Sequence, residues 1–213
     1  MKRLILVTSP PASGKTYVSK KLAERLEHVV YLDKDTLIPL SKRVFAAAGE
    51  PYDRSSAFFR ENIRDAEYET IVALALEALD YDSTVLINAP FTKEVRDREY
   101  MQNLRERLVE KGARLTVIWV KTEIEVVRRR MRERNSERDR WKLENWEEYI
   151  AGCDFTIPEA LNISTEEDDL FVFLNSTEEE FEVSMADLIA LFNRNPEKHP
   201  EKSHKLLLGK NSG

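Results

Sequence analysis

Five short apolar runs constrain the fold of this chain more than any other feature: RLILVTS at residues 3–9, HVVYL at 28–32, TVLINA at 84–89, LTVIWV at 115–120 and LFVFLN at 170–175. Each is of strand length and none alternates strictly between apolar and polar, so each has to be covered on both faces. Helical patterns lie between them, at residues 15–26, roughly 56–79, 93–111 and 123–134. In the first, Val18, Leu22 and Leu26 form one apolar stripe at helical spacing. Doubly covered strands alternating with helices imply a parallel sheet between two helical layers, a three-layer α/β/α fold. Gly112, directly after LVEK, reads as the cap of a helix that runs into the next strand.

With 213 residues the chain is sized for one domain, taken here as residues 1–195. Residues 135–149 are charged and carry Trp141 and Trp146, which predicts an exposed excursion, a lid at about 134–150, rather than a core layer. The stretch 196–213 is polar and punctuated by Pro and Gly, and a flexible tail is expected there. No apolar run approaches the roughly 18 residues that span a bilayer. The start, MKRLILVTSPPAS, imitates a secretory signal, but its apolar run falls short of the roughly 7–15 residues such a signal uses, so a cytoplasmic protein is expected. The single cysteine, Cys153, has no disulfide partner in the chain and no ligands at zinc-site spacing. A net charge of −6 provides no general attraction to nucleic acid, whose binding requires cations; the one arginine-rich cluster lies at residues 128–140.

The stretch TSPPASGKT, residues 8–16, follows the first strand run and opens the first helical pattern. Gly14, Lys15 and Thr16 complete a phosphate-binding P-loop in the place where that motif has to sit. In such a loop, backbone N–H groups and the helix N-terminus hold phosphate oxygens. The lysine reaches the outer phosphates, and the Ser/Thr hydroxyl ligates magnesium. The nucleotide-binding stretch is therefore Pro11, Ala12, Ser13, Gly14, Lys15, Thr16 and Tyr17. Ser9 stands where the pattern has its first glycine, and Ala12 where glycine is frequent; both are small, but the backbone at Ser9 must suit a residue with a Cβ. The plain alternative, a Pro-rich turn with a chance GKT, is disfavoured by the strand before it and the amphipathic helix after it.

Asp33 and Asp35 follow the second strand run, at the carboxyl end where open α/β sheets bind ligands. Either aspartate also suits a helix cap ahead of TLIPL. Asn88 ends the third run, where many P-loop proteins carry an acid that holds magnesium through water. Most arginines of VVRRRMRERNSERDR read as a solvated helical face balanced by Glu133, Glu137 and Asp139, whereas Arg134 and Arg138 flank the helix end. Arg60 and Arg64, one helical turn apart on the long helical pattern, are either a surface pair with Glu61 and Asp65 or ligands for an anionic acceptor.

On PPASGKT, YLDKDTL, LINAPF and RERNSERD, the chain resembles the small P-loop kinases that include polynucleotide kinase, zeta-toxin-like kinases and chloramphenicol phosphotransferase, over about residues 2–193. The resemblance implies a P-loop NTPase fold with strand order 2-3-1-4-5 and magnesium-dependent transfer of the ATP γ-phosphate to an acceptor. It implies Lys15 on the phosphates, Asp35 as the base that takes the acceptor's proton, Arg134 and Arg138 as lid arginines, and Thr16 with Asp33 near the metal. LNSTEEE, residues 174–180, would approach the nucleobase. In polynucleotide kinases an arginine follows the base by three residues; here that position is Ile38, which together with the acidic net charge argues for a small-molecule hydroxyl and against nucleic acid. A nucleotide or polynucleotide kinase is the alternative enzyme, and an ATP- or GTP-binding switch the alternative of another class.

Overall fold

The computed structural model describes residues 2–161 and 169–193. Its strands are β1 (Lys2–Thr8), β2 (Val29–Asp33), β3 (Thr84–Asn88), β4 (Ala113–Lys121) and β5 (Asp169–Leu174). The helices are α1 (Lys15–Arg25), α2 (Ile38–Ala48), α3 (Ala57–Asn62), α4 (Arg64–Ala78), α5 (Arg98–Glu110), α6 (Ile124–Arg134), α7 (Glu137–Glu144), α8 (Trp146–Ala151) and α9 (Glu178–Phe192). The sheet is parallel in the order β2-β3-β1-β4-β5, as the resemblance implied.

The central strand shows why the apolar runs do not alternate. Leu4, Ile5, Leu6 and Val7 are all fully buried, and successive side chains of a strand point to opposite faces. Leu4 and Leu6 join the layer formed with α4 and α5, through Ile71, Val72, Leu104 and Leu108. Ile5 and Val7 join the layer formed with α1 and α9, through Val18, Leu22, Phe181 and Met185. Each such aliphatic burial contributes about 1.5–3 kcal/mol, so both helical layers are anchored on the strand that leads into the phosphate loop. The register pairs Val7 with Asn88 and Asn88 with Asp33. The carboxyl ends of β1, β3 and β2 therefore lie in one row.

Three local features differ from the helical patterns read in the sequence. The stretch at 56–79 is two helices, broken at Ile63 (φ −126°, ψ −43°), whose side chain is buried with Phe45 and Phe59 in a small core between α2 and α3. Ser56 caps α3 by accepting the Phe59 N–H at 3.1 Å. Arg60 and Arg64 thus sit on different helices. The stretch at 93–111 starts as a short 3-10 turn, Glu94–Arg96. Asp97 then caps α5, its carboxylate accepting from the N–H groups of Glu99 and Tyr100. Residues 135–149 are less exposed than expected: Trp141 is open to solvent, but Trp146 is buried against Val127 and Met131 of α6, with Ala12 of the phosphate loop beside this cluster. Gly112 takes the left-handed conformation (φ 62°) immediately after α5, as its position predicted. Among the described residues no helix is long and apolar enough to cross a membrane. The expected tail at 196–213 lies outside the described residues.

The segment after β2 is tied to α4 by one carboxylate. Glu67, 4% exposed, accepts from Lys34 Nζ at 2.6 Å, from Ser41 Oγ at 2.5 Å and from both terminal nitrogens of Arg54 at 2.7 Å. Burial raises its pKa, but the hydrogen bonds from Arg54, Lys34 and Ser41 outweigh burial and hold it down at about 2. A pKa depressed on folding contributes stability above the unfolded-state value of about 4.5 and loses it as pH falls toward 2. Urea unfolding measured between pH 6 and pH 2 is therefore expected to show a loss of roughly 3 kcal/mol that disappears in Glu67→Gln. That variant is also expected to be less stable at pH 6 by about 3–5 kcal/mol, because Lys34 and Arg54 lose their counter-charge.

Candidate active site

The loop between β1 and α1 is shaped by two left-handed residues. Ala12 (φ 62°) and Gly14 (φ 84°) turn the backbone so that its N–H groups can face a common anion. An alanine is strained in that region, and the loop is braced around it. Ser13 Oγ donates to Pro10 O at 3.0 Å, while Thr122 Oγ1 and Asn175 Nδ2, from the ends of β4 and β5, both donate to Ser13 O at 2.9 and 2.8 Å. The left-handed φ favours glycine at position 14, and a Cβ there would sit 2.4 Å from Asn175 Nδ2, displacing the amide that braces Ser13. Ser9, in the place of the pattern's first glycine, is buried and is not among the positive-φ residues, which answers the demand its Cβ makes.

Asn88 connects the loop to the end of β2. Its Oδ1 accepts from Lys15 Nζ at 2.8 Å and from Ser19 Oγ at 3.4 Å. Its Nδ2 donates to Asp33 Oδ2 at 2.8 Å, to the Tyr31 hydroxyl at 3.2 Å and to Thr16 Oγ1 at 3.3 Å. The ammonium of Lys15 fixes which end of the amide is oxygen. Burial first, and then the nearby Asp33 charge, hold the Tyr31 phenol far above its ordinary range, so it stays protonated and donates to Asp33 Oδ2 at 3.1 Å. Asp33 is also the cap of the following turn, its Oδ1 accepting the Asp35 N–H at 3.0 Å. Asp35 is exposed and lines the cleft beside the loop.

That cleft has a volume of about 510 Å³ and is bordered by Lys15, Thr16, Asp33, Asp35, Arg130 and Arg134. A second cavity of about 590 Å³ shares Gly14, Tyr17 and Arg130 with it and extends to Asn175, Thr177 and Phe181, placing part of the 174–180 segment beside the loop. Tyr17 rests its ring against Phe181, with centroids 5.2 Å apart. Both volumes are in the range of small-molecule sites. Among the described residues no group of three or more His, Cys, Asp or Glu could hold a metal ion by itself. Magnesium characteristically uses one or two carboxylates and completes its shell with phosphate and water, and Thr16 with Asp33, both hydrogen-bonded to the same amide nitrogen, suits such a partial set.

The arginines divide differently from the sequence reading. Arg134 lines the cleft with its guanidinium held by Asp139, whose Oδ2 accepts from Nε at 2.8 Å and from a terminal nitrogen at 2.5 Å. The side chain of Arg138 lies outside the described residues. Arg130, assigned from sequence to a solvated face, instead points at the loop: its Nη1 is buried, has no hydrogen-bond partner among the described residues, and lies 3.4 Å from where a Gly14 Cβ would be. Burial, with Arg129 adding to it, lowers the pKa of Arg130. The sequence signal was available, since Arg130 and Arg134 are four residues apart beside the buried face of Val127 and Met131. On the other side of the cleft's lining, Arg64 is held by Glu94 at 2.7 and 3.2 Å, and Arg54 by Glu67, whereas Arg60 donates to the Ser55 carbonyl in the exposed loop.

The profile of the AAA domain family, AAA_33, matches residues 4–156. No curated protein matches the chain. Its fold is shared by a candidate kinase from Chloroflexus aurantiacus (20% identity, 91% of this chain and 98% of that one, TM-score 0.58). It is shared as well by shikimate kinase from Bacteroides thetaiotaomicron (15%, 91% and 99%, 0.51) and by the Mycobacterium tuberculosis APS kinase CysC in complex with AMPPNP and APS (18%, 91% and 98%, 0.51). The resemblance read from the motifs is borne out at the level of the small P-loop kinase fold.

The Asn88 geometry makes its replacement by an acid costly. In Asn88→Asp a carboxylate would face Asp33 Oδ2 at hydrogen-bond distance, and the one Tyr31 hydroxyl proton beside them can serve only one of the two. Two carboxylates at that separation retain a proton, so the variant is expected to lose about 1–3 kcal/mol at pH 7 and to recover part of it near pH 5. Thermal unfolding of both proteins at the two pH values checks this; equal stability at pH 7 would contradict the assigned network.

Proposed function

We propose that this chain, which belongs to the AAA domain family, is a magnesium-dependent kinase moving the γ-phosphate of ATP to a hydroxyl of a small molecule in the cytoplasm. The observation that carries this reading is that a phosphate-shaped loop and an exposed carboxylate, Asp35, border one cleft on which Lys15, Arg130 and Arg134 converge. The kinases that share its fold support it.

In this reading the loop from Pro11 to Tyr17 holds the ATP phosphates, and the nucleobase enters the cavity beside Tyr17 and Phe181. The acceptor oxygen attacks the γ-phosphorus as the bond to the β–γ bridging oxygen breaks, and its proton passes to the Asp35 carboxylate. Lys15 and Arg130 offset the charge on the transferring group where it is shielded from water. Magnesium, when bound, neutralises the β- and γ-phosphates; Thr16 and Asp33 are the residues that would hold it. In this reading helices α7 and α8 act as the lid over the cleft, and Arg134 at the end of α6 and Arg138 on α7 bind the phosphates. Ile38 and the acidic net charge favour a small acceptor over nucleic acid. A nucleotide-dependent switch is the second reading, favoured by the amide of Asn88 in place of an acid at the end of β3.

Asp35→Asn is expected to lower acceptor-dependent ADP release by about 10²–10⁴-fold while leaving ATP affinity within a few-fold. Lys15→Ala is expected to lower it by about 10²–10³-fold. ADP release with acceptor panels and calorimetric ATP binding measure both; undiminished transfer by Asp35→Asn would remove the base assignment, and release that no acceptor stimulates would favour the switch.

A further inference from the structure

The cleft contains two arginines that phosphate binding at the loop does not use. Arg54 lies in the segment between α2 and α3, and Arg64 opens α4; both border the same cleft as Asp35, together with Phe59 and Tyr68. Their guanidinium groups are each held by a carboxylate and an aromatic ring. The buried carboxylate of Glu67 grips Arg54 through both terminal nitrogens, and the buried carboxylate of Glu94 does the same for Arg64. Arg54 stands 4.5 Å over the ring of Phe59, and Arg64 4.5 Å over the ring of Tyr68. A guanidinium has five N–H donors; Glu67 takes two from Arg54, and Glu94 with Asp65 take three from Arg64.

A tether between α4 and the segment after β2 would account for part of this. Lys34 and Ser41 fill only one acceptor site on each oxygen of Glu67, however, and Arg54 fills the other two as a second cation on the same carboxylate. Two cations against one anion leave one positive charge in excess, and of the two cations it is Arg54, 27% exposed against 5% for Lys34, that is open to the cleft. Arranging excess charge in this way costs stability, which an apolar contact would not. A cation whose rotamers are already fixed is suited to binding a planar or tetrahedral oxyanion with little further ordering cost.

We propose that the acceptor carries an anionic group, a carboxylate or a phosphate, besides the hydroxyl that is phosphorylated, and that Arg54 and Arg64 bind this group, with the Phe59 and Tyr68 rings as the apolar wall. The inference rests on the kinase reading above and narrows its substrate to small hydroxy-anions. Arg54 and Arg64 act as specificity residues, while Asp35 receives the proton.

The test uses the full chain and acceptor pairs of one carbon skeleton, one member anionic and the other neutral: gluconate and glucitol, glycerate and glycerol, glucose 6-phosphate and glucose. Binding is measured by calorimetry in the presence of a non-hydrolysable ATP analogue, and transfer by ADP release. An anionic member is expected to bind and react with a KM roughly ten- to a hundredfold below that of its neutral parent. Arg54→Lys and Arg64→Lys are expected to erase that preference by raising KM roughly tenfold or more, with kcat changed only a few-fold. Retained ATP binding identifies the variants that fold, and the wild-type pairs decide the question even if neither variant does. The carboxylate and phosphate arms tell which anion is held. A neutral acceptor bound and phosphorylated as well as its anionic partner would overturn the inference and leave the kinase reading intact. Arginine-dependent anion binding without any transfer would remove the kinase reading and, with no acceptor left to recognise, overturn the inference with it. Failure of every anion to bind would overturn the inference.

Discussion

The amide of Asn88 is the interaction on which the geometry of the site depends. It occupies the row where β1, β3 and β2 end, and it has to receive an ammonium on one side and face a carboxylate on the other. A carboxamide meets both demands because it carries an acceptor oxygen and a donor nitrogen on one planar group. A carboxylate there would bind Lys15 as well but would repel Asp33. The acidic group stands one strand over, at Asp33, where the hydroxyl of Tyr31 and the turn leading to Asp35 hold it in place. The phosphate loop, the first turn of α1 and the end of β2 are thereby coupled through a single side chain.

A second regularity concerns charge. The chain is acidic overall, yet Lys15, Arg54, Arg64, Arg130, Arg134 and Lys142 all border one cleft. Three of the arginines are aimed by carboxylates almost sealed from water: Glu67 for Arg54, Glu94 for Arg64 and Asp139 for Arg134. Burying acids in this way carries a desolvation cost that packing alone would not require. It places cations whose orientation is settled before any ligand arrives, which is what electrostatic stabilisation of a transferring phosphoryl group needs. Arg130 is the exception: its Nη1, facing Gly14, has no partner among the described residues, and a phosphate at the loop would meet that donor.

Much of this was legible from the residues. All five strand runs became strands, and GKT after the first of them located the loop, because both patterns depend on local backbone chemistry and on a period of burial that the chain displays directly. The breaks were harder to see. Ile63 interrupts a helical pattern because its side chain is drawn into a core with Phe45 and Phe59, contributed by two other helices. Trp146 reads as part of an exposed excursion because its neighbours are charged; its burial depends on Val127 and Met131, which form a pocket only once α6 is folded.

The sequence by itself determined where a phosphate loop must stand and that a doubly covered parallel sheet must carry it, since glycine at a left-handed turn and uninterrupted apolar strands leave few alternatives. Only the tertiary structure decided which arginines serve the cleft. A run of seven arginines across residues 128–140 looks uniform in one dimension. Helical rotation and the packing of α6 turn Arg130 toward Gly14, and buried carboxylates from distant positions choose Arg54 and Arg64 over Arg60. Charge placement depends on burial and on partners far apart in the chain, and neither is encoded in local spacing.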